Sequence, residues 1–139
     1  MENGRWVETE VKVRYAETDA QGVVYHGSYV VWFEVGRTEY CDAAGYPYAR
    51  MEAEGVNIVV SDLAARFRRA ARYGETVRVA TRLVSLRSRG CTFGYRVDLP
   101  DGSVAVEGET THLFVDRATG KPTAVPGPVR AALSAFAAG

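Results

Sequence analysis

The chain has 139 residues, 47% of them hydrophobic, and its 17 basic residues balance 17 acidic ones. That length suits a single domain, residues 1–139, whose core needs no metal or disulfide staple. Zero net charge removes the electrostatic bias that nucleic-acid binding requires.

No uncharged apolar run of about 18 residues is present, so no membrane insertion is expected. The start MENGRWVETEVKV lacks the basic-then-apolar layout of a signal peptide, which makes the cytoplasm the expected location. Cys41 and Cys91 lie far apart, with only His26 and His112 to help them bind a metal, so the expectation is packed, reduced thiols and no metal site.

In chain order, WVETEVKVRY (Trp6 to Tyr15) alternates apolar and polar residues and predicts a strand with Trp6, Thr9, Val11, Val13 and Tyr15 available to one face. A loop runs from Ala16 to Gly27. SYVVWFEVGRTEYCDAAG then places Tyr29, Trp32, Phe33, Gly36 and Tyr40 three and four apart, the apolar stripe of a helix with Ser28 as N-cap and Gly45 as its stop. Gly36 within that stripe predicts close approach to a sheet, since glycine otherwise costs a helix about 1 kcal/mol. After an irregular segment around Pro47 come four strands: 56–70, 75–88, and the pair CTFGYRVDLP and SVAVEGETTHLFVD joined through Asp101-Gly102. These four are expected to form an antiparallel meander. The tail PGPVRAALSAFAAG predicts a short closing helix with Val129, Leu133 and Phe136 on one side.

The order strand, long helix, four strands, short helix predicts an α+β layer fold. Phe67, Phe93, Tyr95, Phe114 and the valines offer more apolar surface than one helix covers, so a partner subunit is expected to bury part of it.

The loop ETDAQGVVYHGSY (17–29) is where chemistry would sit. Asp19, ionised at neutral pH, either caps a turn or serves as base or nucleophile. Gly22 allows a tight turn, and the first amides of the following helix are unpaired and partly positive, able to hold an oxyanion. A carboxylate facing that helix end is the minimum equipment for acyl transfer to water.

VRYAETDAQGVVYHGSYVVWFEVGRTEY resembles the signature region of hot-dog-fold acyl-CoA thioesterases of the 4-hydroxybenzoyl-CoA thioesterase family, most closely the YbgC-like branch. The matching positions are Asp19, Gly22, Val23, Val24, Tyr25, His26, Tyr29, Trp32, Phe33, Glu34, Arg37 and Glu39. The likeness continues through DLAARFRRAARYGETV and GETTHLFVDRATGKPTAVP. It implies a five-stranded antiparallel sheet wrapped around one long central helix. It also implies an acyl-CoA substrate of short-chain or aromatic type, Asp19 as catalytic carboxylate and the His26 amide as oxyanion donor, with the His26 side chain orienting substrate. Homodimers pairing into homotetramers, with no cofactor, belong to the same implication.

Gly22, Val24, Tyr25 and Tyr29 then become candidate substrate-binding residues, against the plainer reading of the tyrosines as core. Arg66, Arg68 and Arg69, with Arg72, are candidates for coenzyme A phosphates or else a polar strand face. Two rivals stay in view. One is a hot-dog hydroxyacyl-thioester dehydratase, whose usual His-Phe-Pro pattern is absent; the other is a non-catalytic acyl-CoA sensor, which gains nothing from Asp19.

Overall fold

A computed structural model describes residues 4–139; Met1 to Asn3, part of the start read for a signal peptide, lie outside the described residues. The elements follow the expected order with one addition: β1 (Trp6–Lys12), a 3₁₀ turn (Tyr15–Glu17), α1 (His26–Ala43), α2 (Tyr48–Ala53), β2 (Val56–Phe67), β3 (Thr76–Leu86), β4 (Gly90–Asp98), β5 (Val104–Asp116) and α3 (Gly127–Ala138). One antiparallel sheet takes the strands in the order β1-β3-β4-β5-β2.

Alternation along the strands decides which face meets α1. Val77, Val79, Thr81 and Leu83 of β3 are buried on the α1 side, while Arg78 and Arg82 leave the core. Phe93 and Tyr95 of β4 meet Tyr40 and Phe33 of α1, the Phe33 and Tyr95 rings stacking at 4.4 Å between centroids. Gly36 explains how α1 comes so near: a Cβ there would lie 2.9 Å from Val79 Cγ1 and overlap the Thr81 hydroxyl. Ala44 caps the helix and Gly45 follows with φ 82°, so the chain turns away where the sequence says it should.

Several expectations need correction. The four later strands are no simple meander. Only β3, β4 and β5 are joined by tight turns, the second closed by Leu99 N donating to Ser103 O at 2.8 Å, whereas β2 lies beyond β5 as an edge strand. β2 stops at Phe67 because the amides of Arg68 and Arg69 both turn to Ala105 O, at 2.8 and 3.1 Å. Trp6 has the opposite parity to Thr9, Val11 and Val13, and its ring lies outside under Arg82 and Arg96, 5.2 and 5.1 Å from their guanidinium carbons. The segment after Pro47 is not irregular: Pro47 caps the short α2, which buries Met51.

The apolar surplus is also smaller than the sequence suggests. Phe93, Tyr95 and Phe114 are buried within the chain itself, and α3 adds Val129, Leu133 and Ala137 to the core. Of the four aromatics only Phe67 is exposed, and on β2 it joins the exposed Val59, Val60 and Leu63. Cys41 and Cys91 are free and buried, and burial pushes both thiols up to about 12.

Gly36→Val should destabilise the fold by about 2–3 kcal/mol, because overpacking at the α1–β3 contact far exceeds any gain in helix propensity. Urea denaturation measures it; unchanged stability would place the helix farther from the sheet than described here.

Candidate active site

The loop before α1 is held by a buried acid rather than by its catalytic candidate. Glu17 is 6% exposed. Its carboxylate accepts hydrogen bonds from the Arg14 amide at 2.8 Å and from the Trp32 indole N–H at 2.8 Å, and pairs with the Arg14 guanidinium at 3.5 Å. Burial alone would raise its pKa; the Arg14 amide, the Trp32 indole and the Arg14 charge outweigh that and hold it below the usual carboxylate value. The Glu17 carbonyl accepts from Tyr25 N at 2.9 Å and from Ser28 Oγ at 3.2 Å. Between these anchors the chain doubles back: Asp19 N donates to Val23 O and Gly22 N to Asp19 O, at 2.8 and 3.0 Å, with Gly22 at φ 80° where a side chain would be strained. Val24 N donates to Ala71 O at 2.9 Å and tethers the loop to the segment after β2.

Tyr25, not Ser28, occupies the N-cap of α1, with φ −66° and ψ 137°. Ser28 already lies in the first turn, and its hydroxyl is spent on Glu17. No side chain caps this end, and among the described residues neither the His26 nor the Gly27 amide has an acceptor. The helix therefore starts with unpaired donors and the positive end of its dipole.

Beside that start lies a cavity of about 300 Å³ lined by Asp19, Val24, His26, Tyr29, Phe67, Arg68, Arg69 and Ala70. Asp19 is exposed; its Oδ1 accepts the Gln21 amide at 2.8 Å, and Oδ2 has no partner among the described residues. Tyr29 is buried, packs edge-on against Phe67 at 5.6 Å, and its hydroxyl accepts the Ala71 amide at 3.0 Å. That bond marks the tyrosine as a wall of the cavity, and burial pushes its phenol up. His26 lies between Tyr25 and Phe67, at 4.1 and 6.3 Å between ring centroids.

Six of the expected site residues thus meet in one place. Gly22 shapes the loop without lining the cavity, and Tyr25 is half exposed, its ring over His26 and Gly27. Arg66 does not join those six: strand alternation sends it to the outer face of the sheet, into a groove of about 520 Å³ with Trp6, Arg82, Arg96, Glu107 and Glu109, as the polar-strand-face alternative has it. Arg68 pairs with Glu107 at 3.0 Å in the open, a contact that costs little to break. Sequence reasoning passed over two residues, Phe67 as a cavity wall and Glu17 as the anchor. The parity of β2 could have found the first; nothing local distinguishes Glu17 from a solvated acid. Among the described residues no three His, Cys, Asp or Glu side chains group to hold a metal ion.

The second histidine stands apart. His112 of β5 is 1% exposed, Nε2 lies 2.7 Å from Thr110 Oγ1, and burial together with the Arg37 charge lowers its pKa from 6.5 to about 4.

A five-stranded antiparallel sheet packed on one long helix is the arrangement of the hot-dog class of α+β proteins. The chain belongs to the thioesterase-like superfamily, whose family model matches residues 13–133. It is 38% identical over 113 residues to a putative acyl-CoA thioesterase, YneP, of Bacillus subtilis, covering 81% of this chain and 82% of that one. It is 33% identical over 122 residues to the acyl-CoA thioester hydrolase YbgC of Escherichia coli, covering 88% and 89%. Among solved structures, a hypothetical protein of Thermus thermophilus, TT1821, superposes with a TM-score of 0.88 at 43% identity, covering 93% of this chain and 98% of that one. A DHNA-CoA thioesterase from Staphylococcus aureus gives 0.83 at 35%, covering 86% and 80%. The chain is a thioester hydrolase by family.

His112 predicts a pH signature. A neutral imidazole is kept in the core while the unfolded chain takes up the proton first, so its contribution is whole above pH 6.5 and is lost as pH falls toward about 4. The loss amounts to about 3 kcal/mol. Urea denaturation between pH 7 and 4 should show this slope in the wild type and a shallower one in His112→Gln.

Proposed function

We propose that this protein hydrolyses short-chain or aromatic acyl-CoA thioesters to the free acid and coenzyme A, with Asp19 as the reacting carboxylate. What supports this reading is one cavity lined by Asp19, by His26 at the uncapped start of α1 and by two arginines. The thioester carbonyl oxygen, becoming an oxyanion as its carbon turns tetrahedral, is stabilised by the His26 and Gly27 amides and the helix dipole. Asp19 acts by one of two routes. As a base it takes a proton from water while the water oxygen bonds to the carbonyl carbon. The intermediate then collapses, the carbon–sulfur bond breaks, and the thiolate leaves to be protonated. As a nucleophile its oxygen bonds to that carbon, expels the thiolate, and leaves a mixed anhydride that water cleaves.

Arg68 and Arg69 at the rim suit the phosphates of coenzyme A, and the rings of Tyr29, His26 and Phe67 suit a short or aromatic acyl group. We also propose homodimers assembling into homotetramers. The exposed Val59, Val60, Leu63 and Phe67 on an edge strand support pairing between copies. No helix among the described residues is long and apolar enough to cross a membrane.

Thiol release from a panel of acyl-CoA esters should fall at least about 100-fold in Asp19→Asn with binding retained, since charge is removed at nearly constant volume. Wild-type turnover by the folded variant would remove Asp19 from the chemistry, and tight binding without hydrolysis in the wild type would make the protein a sensor. His26→Ala should cost less than about tenfold, because the proposed oxyanion donor is backbone. Single-turnover hydrolysis in ¹⁸O-water tests the nucleophilic route: unlabelled acid with one ¹⁸O in Asp19 marks an anhydride that water opens at the Asp19 carbonyl, and labelled acid with unlabelled Asp19 excludes that path.

A further inference from the structure

Of the two carboxylates in the loop, Glu17 is buried and Asp19 is exposed. A buried carboxylate is expensive unless its hydrogen bonds are satisfied, and every partner of Glu17 belongs to the frame around Asp19. Its Oε1 takes the Arg14 amide, at the point where the chain has left β1, and its Oε2 takes the Trp32 indole, inside α1. Its carbonyl takes the Tyr25 amide at the N-cap and the Ser28 hydroxyl in the first helical turn. One residue therefore grips both ends of the span 18–24 that carries Asp19, and also the helix whose first residue, His26, lines the same cavity as Asp19. No hydrogen bond joins Asp19 to α1 directly; its recorded partners are Gln21, Gly22 and Val23 within its own turn.

We propose that Glu17 is a positioning residue for the hydrolytic step. It fixes the distance between the Asp19 carboxylate and the amides of His26 and Gly27, through the shared bond to Trp32 and the doubly used carbonyl. The inference rests on the reading of Asp19 as the reacting group. The geometry gives Glu17 no contact with the cavity, so it acts on the reacting atoms only through the loop and helix it joins. A glutamine cannot replace it fully. Its one carbonyl oxygen serves either Arg14 N or the Trp32 indole, and its NH₂ group meets the other donor head-on.

The test measures kcat and KM together with affinity for a non-hydrolysable thioether analogue of the best acyl-CoA, for Glu17→Gln, Trp32→Phe, the double variant and Asp19→Asn. Rates are normalised to the folded fraction by circular dichroism. Misplacement of a reacting group costs rate rather than binding. Glu17→Gln should therefore lose at least about tenfold in kcat, with KM and analogue affinity within about threefold. Trp32→Phe, which removes one hydrogen bond to a charged group, should lose about fivefold in kcat alone. The double variant should lose no more than Glu17→Gln, as expected for two ends of one contact.

Wild-type kcat in folded Glu17→Gln, or kcat and analogue affinity falling in proportion, would overturn the proposal and leave Glu17 a packing residue. Should Glu17→Gln fail to fold, Trp32→Phe decides by the same split. Asp19→Asn separates the two levels: if it keeps turnover, the catalytic reading falls and this inference with it; if it loses turnover while Glu17→Gln does not, only the role of Glu17 falls.

Discussion

The seat of α1 on the sheet sets the geometry of the rest. Because Gly36 carries no side chain, the helix axis rides close over Val79 and Thr81, and only at that depth do Phe33 and Tyr40 reach Tyr95 and Phe93. Ring contacts on either side of Gly36, one stacked and one edge-on, leave the helix little freedom to slide, since interiors are packed as densely as organic crystals. The position of the helix N-terminus is thus decided in the middle of the helix. Gly108 supports the same fit on β5, where a Cβ would collide with the Phe33 ring.

The proposed chemistry sits at the end of this rigid element and borrows its stiffness. The cavity draws on three parts of the chain: the loop with Asp19, the first turns of α1, and the segment that leaves β2 at Phe67. The tyrosine and valine between them serve as masonry. Tyr29 ties its hydroxyl to the Ala71 amide and Val24 ties its amide to the Ala71 carbonyl, so a single residue of the third segment is held from both sides. The unsatisfied donors at His26 and Gly27 are tolerated because this end of the helix opens to the cavity rather than to apolar packing.

Much of the fold was legible because its signals are periodic. The helix stripe, the alternation of β3, the Asp101-Gly102 hairpin and the final helix each declare themselves within a dozen residues. What was hidden depended on distance or on parity. Ser28 looked like a cap because it precedes an apolar stripe, yet the true cap is Tyr25, whose amide is claimed by Glu17. The edge position of β2 depends on which strands pair across the sheet, and YARMEA is too short for its helical period to show. Around the cavity, Asp19, His26, Tyr29 and the arginines at 68 and 69 were singled out by the loop pattern and its resemblance, and they do lie together. Arg66 follows the strand-face alternative for its cluster, and the burial of Glu17 depends on an indole two turns into a helix, which no local composition reveals.

The two thiols provide a natural stopwatch for the core. Cys41 sits on α1 and Cys91 on β4, both fully buried and both held protonated at neutral pH by that burial. An alkylating reagent cannot reach them without separation of the helix from the sheet, and a thiol in the closed state would react poorly in any case. The rate at which unmodified protein takes up such a reagent therefore counts the excursions, local or global, in which α1 lifts away from the sheet. The enzyme carries, away from its cavity, a pair of built-in clocks for how often the helix that starts at His26 lets go of the sheet.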